Sequence, residues 1–181
     1  GVWATGGTMN TARQAFAGSG AGTQIASLAF GGLDTAITAI TESYNGTAWA
    51  ELNNLNTARR NLGGVGTSTS ALAVTGSTPP STDVANNESW NGTSWTETTD
   101  VNTARQGVAS AGVDNTSALI AAGYTQATTS NSALTEIWNG SAWTEVGDLN
   151  TARYDLGGVG TVTASLVFGG DMFAQTESWN G

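Results

Sequence analysis

The sequence predicts an all-β fold, a β-propeller of four four-stranded blades, and three observations carry that expectation. Asn-Thr-Ala-Arg occurs four times, starting at Asn10, Asn56, Asn102 and Asn150. The copies lie 46, 46 and 48 residues apart, about the length of chain that one four-stranded blade uses. The chain also begins partway through a unit, Gly1 to Met9, and stops partway through another, Glu177 to Gly181. Joined end to start, the two pieces make one complete unit. The expected organisation is therefore one domain over residues 1–181, with repeats at about 10–55, 56–101, 102–149 and 150–181 plus 1–9.

Each element follows from its place in the repeat. After the motif comes a Gly- and Ala-rich stretch with one larger apolar residue at a fixed place, Phe16, Leu62, Val108 or Leu156. These are the expected innermost strands, because small side chains let several backbones crowd around one axis. The second strand is apolar on both faces, as in Ile25 to Phe30, Ala71 to Val74, Ala118 to Ala122 and Ala164 to Phe168, which suits a strand buried between neighbouring sheets. A third strand leads into Glu42-Ser43-Tyr44, Glu88-Ser89-Trp90, Glu136-Ile137-Trp138 and Glu177-Ser178-Trp179, each followed by Asn-Gly. Asn-Gly predicts a two-residue hairpin turn of the type that demands positive φ. The fourth strand opens on Trp49, Trp95 or Trp143. Its fourth copy is at the other end of the chain, where Trp3 completes the set and Met9 matches Leu55, Val101 and Leu149. The N-terminal segment is thus expected to close the last blade as its outermost strand.

These residues resemble the Kelch-repeat family of β-propellers over essentially the whole chain. The shared pattern is an Arg ahead of the inner strand, a Gly-Gly closing the second, an aromatic near the end of the third and a Trp five residues later. Gly76-Ser77 and Ala122-Gly123 depart from the double glycine, and Tyr44 replaces Trp in the first copy. The near-identical Asn/Thr/Gly-rich copies are also similar to Kelch-like repeats of viral and environmental proteins. A four-bladed ring is unusual for such units, so two chains exchanging strands to give eight blades is the alternative closure. The resemblance leaves the ligand open, because such propellers serve as protein-binding, sugar-associated and enzymatic scaffolds.

Composition narrows the function classes. Charged residues are 10% of the chain, the net charge is -9 and Lys is absent, so the basic surface that nucleic acid or an anionic membrane requires is missing. Cys is absent, which excludes a disulfide scaffold. Without His, Cys or Lys, no Ser-His-Asp or Cys-His site, Schiff base or His-based metal centre can be built. The copper centre of galactose oxidase, another Kelch-type propeller, is excluded on the same ground. Two carboxylates can hydrolyse a glycoside, but Asp34, Asp83, Asp114, Asp155 and Asp171 read as scattered without partners. The chain is expected to be no enzyme and to need no cofactor or metal.

The remaining candidates are arginines, aromatics and loops. Arg13, Arg59, Arg105 and Arg153 could form a ring around an anion, or each could pair with the Glu of its own unit, Glu42, Glu88, Glu136 or Glu177; their matched recurrence favours pairing. Trp3, Trp49, Trp95 and Trp143 are expected to pack between blades rather than stack on sugars. Asn45, Asn91, Asn139, Asn87 and Asn115 fit the glycosylation acceptor pattern, although turn formation alone explains Asn-Gly. The loops between second and third strands differ in every unit and share one edge with the Asn-Thr-Ala-Arg turns. Variation on a rigid scaffold is where specificity is carried, so ligand contacts are expected at Tyr124, Met172, Phe173, Asp34 and Asp83. The expected function is a non-catalytic recognition module for a glycan or surface receptor, extracellular or on a virion. The alternative is a structural protein that assembles with itself or into a particle.

Overall fold

Four apolar second strands, each flanked by a glycine-rich neighbour and a Glu-bearing one, produce four antiparallel sheets in chain order. The computed structural model describes residues 1–181 and contains strands and no helices. Sheet I is β1 (Ala17–Gly18), β2 (Ser27–Phe30), β3 (Thr41–Tyr44) and β4 (Trp49–Glu51). Sheet II holds β5 (Gly63–Gly66), β6 (Ala71–Val74), β9 (Asn87–Trp90) and β10 (Trp95–Glu97) in that spatial order, with a small hairpin, β7 (Ser77–Thr78) and β8 (Thr82–Asp83), between β6 and β9 in the chain. Sheet III is β11 (Ala109–Asp114), β12 (Ser117–Thr125), β13 (Ser130–Trp138) and β14 (Trp143–Val146). Sheet IV has three strands, β15 (Gly157–Thr161), β16 (Ala164–Phe168) and β17 (Thr176–Trp179).

The core lies between consecutive sheets rather than inside any one of them. Leu28 and Phe30 of sheet I pack against Leu62, Trp90 and Trp95 of sheet II. Leu72 and Val74 of sheet II meet Val108, Trp138 and Trp143 of sheet III. Leu119 and Ala121 of sheet III meet Leu156 and Val167 of sheet IV. Each buried Leu or Phe contributes about 1.5–3 kcal/mol relative to exposure, so neighbouring sheets hold one another. Close approach of the innermost strands requires glycine. A Cβ on Gly64 would stand 2.4 Å from the Gly18 carbonyl oxygen, and one on Gly158 would stand 2.8 Å from that of Ser110.

Two expectations are corrected. First, Gly1 to Met9 does not close sheet IV: the segment forms no strand, Trp3 is fully exposed and β17 pairs only with β16. The reason is positional, since the segment lies against sheet I, where a Cβ on Gly7 would meet the Thr47 carbonyl oxygen at 2.3 Å. Second, the Asn-Gly turns are not two-residue hairpins. Trp49 pairs with Tyr44, Trp95 with Trp90 and Trp143 with Trp138, which leaves four residues in each connection. Only the glycine has positive φ, 93° at Gly46, Gly92 and Gly140. Asn supplies its side chain instead: Asn45 Oδ1 accepts from the Thr47 and Ala48 N–H groups at 3.0 and 2.9 Å, and Asn91 and Asn139 repeat the arrangement. Asx turns of this kind replace a backbone turn locally.

Candidate functional site

The four motif arginines are structural. Arg13 pairs with Glu42, Arg59 with Glu88 at 2.9 Å, Arg105 with Glu136 at 2.5 Å and Arg153 with Glu177 at 2.6 Å, with every guanidinium buried. Each carboxylate also accepts from the backbone N–H of the Asn that opens the motif, at 2.7 to 2.8 Å. Arg59 further donates to the carbonyl oxygens of Thr75 and Asn86 at 2.8 and 2.7 Å. Burial pulls the Arg59 guanidinium below its ordinary pKa while Glu88 pulls it back. A charge this enclosed needs its partner, and each guanidinium is engaged by the Glu of its own unit, although Nε of Arg13, Arg59 and Arg153 is buried without a hydrogen-bond partner. The anion-ring alternative is overturned.

Just beyond each motif the chain turns sharply, and there the four units stop resembling one another. Ala15, Asn61, Gly107 and Asp155 all take left-handed φ, between 52° and 63°, a conformation that costs a non-glycine residue about 1 kcal/mol or more and that Asn and Asp tolerate best. The turns are linked from sheet to sheet. The Asn61 N–H donates to Ala15 O at 2.8 Å, Gly107 to Asn61 O at 2.8 Å and Asp155 to Gly107 O at 2.9 Å. Beside them, Gln14 pairs with Leu33, Arg60 with Ser77 and Gln106 with Tyr124. The motif turns and the loops after the second strands therefore share one edge of the molecule.

That edge holds a cleft of about 270 Å³ lined by Arg60, Asn61, Gln106, Tyr124, Tyr154 and Asp155. The Tyr124 and Tyr154 rings meet with centroids 5.5 Å apart at 53°. Asn61 Nδ2 donates to Gln106 Oε1 at 2.9 Å. Arg60, the one arginine outside the motif pairs, has a buried Nε with no hydrogen-bond partner. Burial, and secondarily the charge of Asp171, raise the Asp155 carboxyl above the ordinary range. The negative charge of Asp171 is the main cause that raises the Tyr154 hydroxyl, with smaller contributions from burial and Asp155. Two aspartates that read as unpartnered in sequence thus act on one tyrosine.

Of the residues expected to contact a ligand, Tyr124 alone lines this cleft. Asp83 is half-buried and accepts from the Gln126 N–H; burial raises its carboxyl and that bond lowers it. Met172 is fully exposed and Phe173 partly so, in a turn where the Phe173 N–H donates to Gly170 O at 2.7 Å. Asp34 is exposed in the short loop of sheet I, its N–H donating to Ala36 O at 3.1 Å. Arg60, Asn61, Gln106 and Tyr154 were missed, and Asp155 was read only as a scattered carboxylate. The signal that marks them is the pair of positions directly after the invariant Asn-Thr-Ala-Arg, Gln14-Ala15, Arg60-Asn61, Gln106-Gly107 and Tyr154-Asp155, no two of which are the same. No group of three or more His, Cys, Asp or Glu is gathered to hold a metal, and no helix is long and apolar enough to cross a membrane. Among known proteins, neither a family model nor a curated sequence matches the chain.

Proposed function

We propose that the chain is a non-catalytic recognition module on a Kelch-like propeller scaffold, and that it binds a glycan in the cleft between Tyr124 and Tyr154 on an extracellular or virion surface. The observation that carries this reading is the combination of an aromatic pair with an amide, a guanidinium and a carboxylate around one opening. A sugar offers a C–H face for an aromatic ring and adjacent hydroxyls for planar polar groups. Apolar lining with a few convergent polar groups is the usual make-up of a small-molecule site. Bridges to Ser77 and Tyr124 hold the Arg60 and Gln106 backbones in fixed register, which reduces the ordering cost of binding. Nothing in the cleft pairs a nucleophile with a base, which favours retention over turnover.

A panel of immobilised oligosaccharides tests the reading. Specific retention should be lost in Tyr124→Ala and in Gln106→Ala while both variants melt near the parent temperature. Retention that survives both substitutions, or no retention of any neutral or acidic glycan, removes the cleft as the site.

A further inference from the structure

One side-chain cation is left over once the repeat has been accounted for. The sequence holds five arginines and no lysine; four guanidinium groups are paired with Glu, and Arg60 is in no ion pair. Arg60 lines the cleft beside Tyr124 and Tyr154. Its Nε is buried without a partner, and its one side-chain hydrogen bond is a long contact from Nη2 to Ser81 Oγ at 3.4 Å. Asp83, at the end of β8, does not compensate it, because that carboxylate accepts from the Gln126 N–H and forms no ion pair. A guanidinium with free terminal N–H groups and no counter-charge is open to an anion.

The polar groups of the cleft are sorted by charge from one end to the other. Gln106 follows its motif as Arg60 follows its own, one sheet further along the ladder of turns. Gln106 Oε1 is already occupied by the Asn61 Nδ2–H at 2.9 Å, so its amide has donors to offer and its acceptor is spent. Sheet IV supplies the opposite character. Asp155 lines that end, and Asp171 stands close enough for its charge to act on both Asp155 and Tyr154. Gly107 makes room for this arrangement: a Cβ there would stand 2.6 Å from Asp155 Oδ1. The cleft therefore donates and is positive on the sheet II side, and accepts and is negative on the sheet IV side.

We propose that the sugar taken by this cleft carries a carboxylate, which Arg60 and the Gln106 amide hold while Asp155 accepts from the sugar's hydroxyls. The inference rests on the glycan reading and adds to it a ligand class and a direction of binding. A uronic acid and a nonulosonic acid share the required chemistry. A planar guanidinium matches a planar carboxylate through two parallel N–H···O bonds, and such charge-assisted bonds are roughly twice as strong as neutral ones. A neutral sugar offers Arg60 no counter-charge, so it forgoes that gain. The direction is fixed by repulsion, since an acid placed at the sheet IV end would face Asp155 and Asp171. In the remaining orientation the Tyr124 and Tyr154 rings, with centroids 5.5 Å apart, are free to meet the C–H face of the sugar.

Methyl esters separate this inference from the reading beneath it, because they keep the sugar and remove only the charge. Titration calorimetry of the 181-residue chain with trigalacturonate and with sialyllactose, each against its own methyl ester, should show at least one acid bound about 10–100-fold more tightly than its ester. Which acid is preferred identifies the source of the carboxylate. Arg60→Gln breaks no buried ion pair, so it should melt near the parent temperature and bring the ratio of acid to ester affinity to about one. Raising the salt concentration should narrow the same ratio in the parent. Acid and ester bound alike overturn the inference and leave the glycan reading standing, as does retention of neutral oligosaccharides with neither acid bound. A preference for the acid that persists in Arg60→Gln also overturns it, because the carboxylate is then held elsewhere. Binding of no acid, ester or neutral oligosaccharide overturns both.

Discussion

Sheets II and IV hold nearly the same residues in the same register, yet one is sealed and the other half open. Ala71, Leu72, Ala73 and Val74 of β6 are each 0% exposed, whereas along β16 only Ser165 and Val167 are buried and Leu166 and Phe168 face outward. Sheet II has a neighbour on both faces and its outer strand in place; sheet IV has a neighbour on one face and no outer strand. An apolar strand therefore does not make its own core. Stability resides in contacts between successive units, as in other repeat architectures. The buried ion pairs follow the same gradient: the Arg59 and Glu88 side chains are wholly enclosed, while Glu177 beside Arg153 retains some exposure.

Substitutions at equivalent positions of the two sheets should expose this contrast, and the largest effect belongs to the ion pairs. Arg59→Met strands a fully buried Glu88 and should cost about 3–5 kcal/mol in urea unfolding. Arg153→Met leaves Glu177 with access to water and should cost clearly less; equal costs would show that the gradient in burial has no energetic weight. Next come the apolar positions. Leu72→Ala should cost about 3 kcal/mol by removing a sealed side chain, against about 1 kcal/mol or less for Leu166→Ala in dilute protein.

Smaller effects test the tryptophan seats and the outermost carboxylate. Trp95→Phe keeps a ring between sheets I and II but leaves the buried Thr41 hydroxyl without its donor, a loss of about 1–2 kcal/mol by thermal unfolding. The Glu177 carboxyl is raised by burial, but the Asn150 N–H and the Arg153 guanidinium outweigh that and hold it below the ordinary value of 4.5. The unfolded chain consequently binds this proton first. The stabilisation is full above about 4.5 and disappears as pH falls through the depressed value. Urea midpoints of the parent and Glu177→Gln should therefore differ at neutral pH and draw together in acid.

How much of this was legible depended on whether the determining contacts recur. Arg and Glu return once per repeat, so their pairing could be read from matched recurrence alone. The apolar second strands were legible for the same reason. The position of Trp3 was not, because spacing identifies it as a member of the tryptophan set without saying whether the two ends of a chain meet. The turns were misread because Asn-Gly serves either two positive-φ residues or an Asx turn with one glycine, and that choice lies in the pairing of Tyr44 with Trp49. The cleft was hidden because Arg60, Gln106 and Tyr154 come from three repeats and become neighbours only when the turns of successive sheets stand side by side. Tyr124 was found by loop variation, whereas Met172 and Phe173 vary equally and lie outside the cleft.

Backbone hydrogen exchange of β6 and β16 tests most directly the claim that neighbouring sheets confer the stability. In dilute solution, β6 amides should be strongly protected and β16 amides weakly so. Equal protection of both strands would contradict the account, because sheet IV would then be stable without a neighbour on its open face.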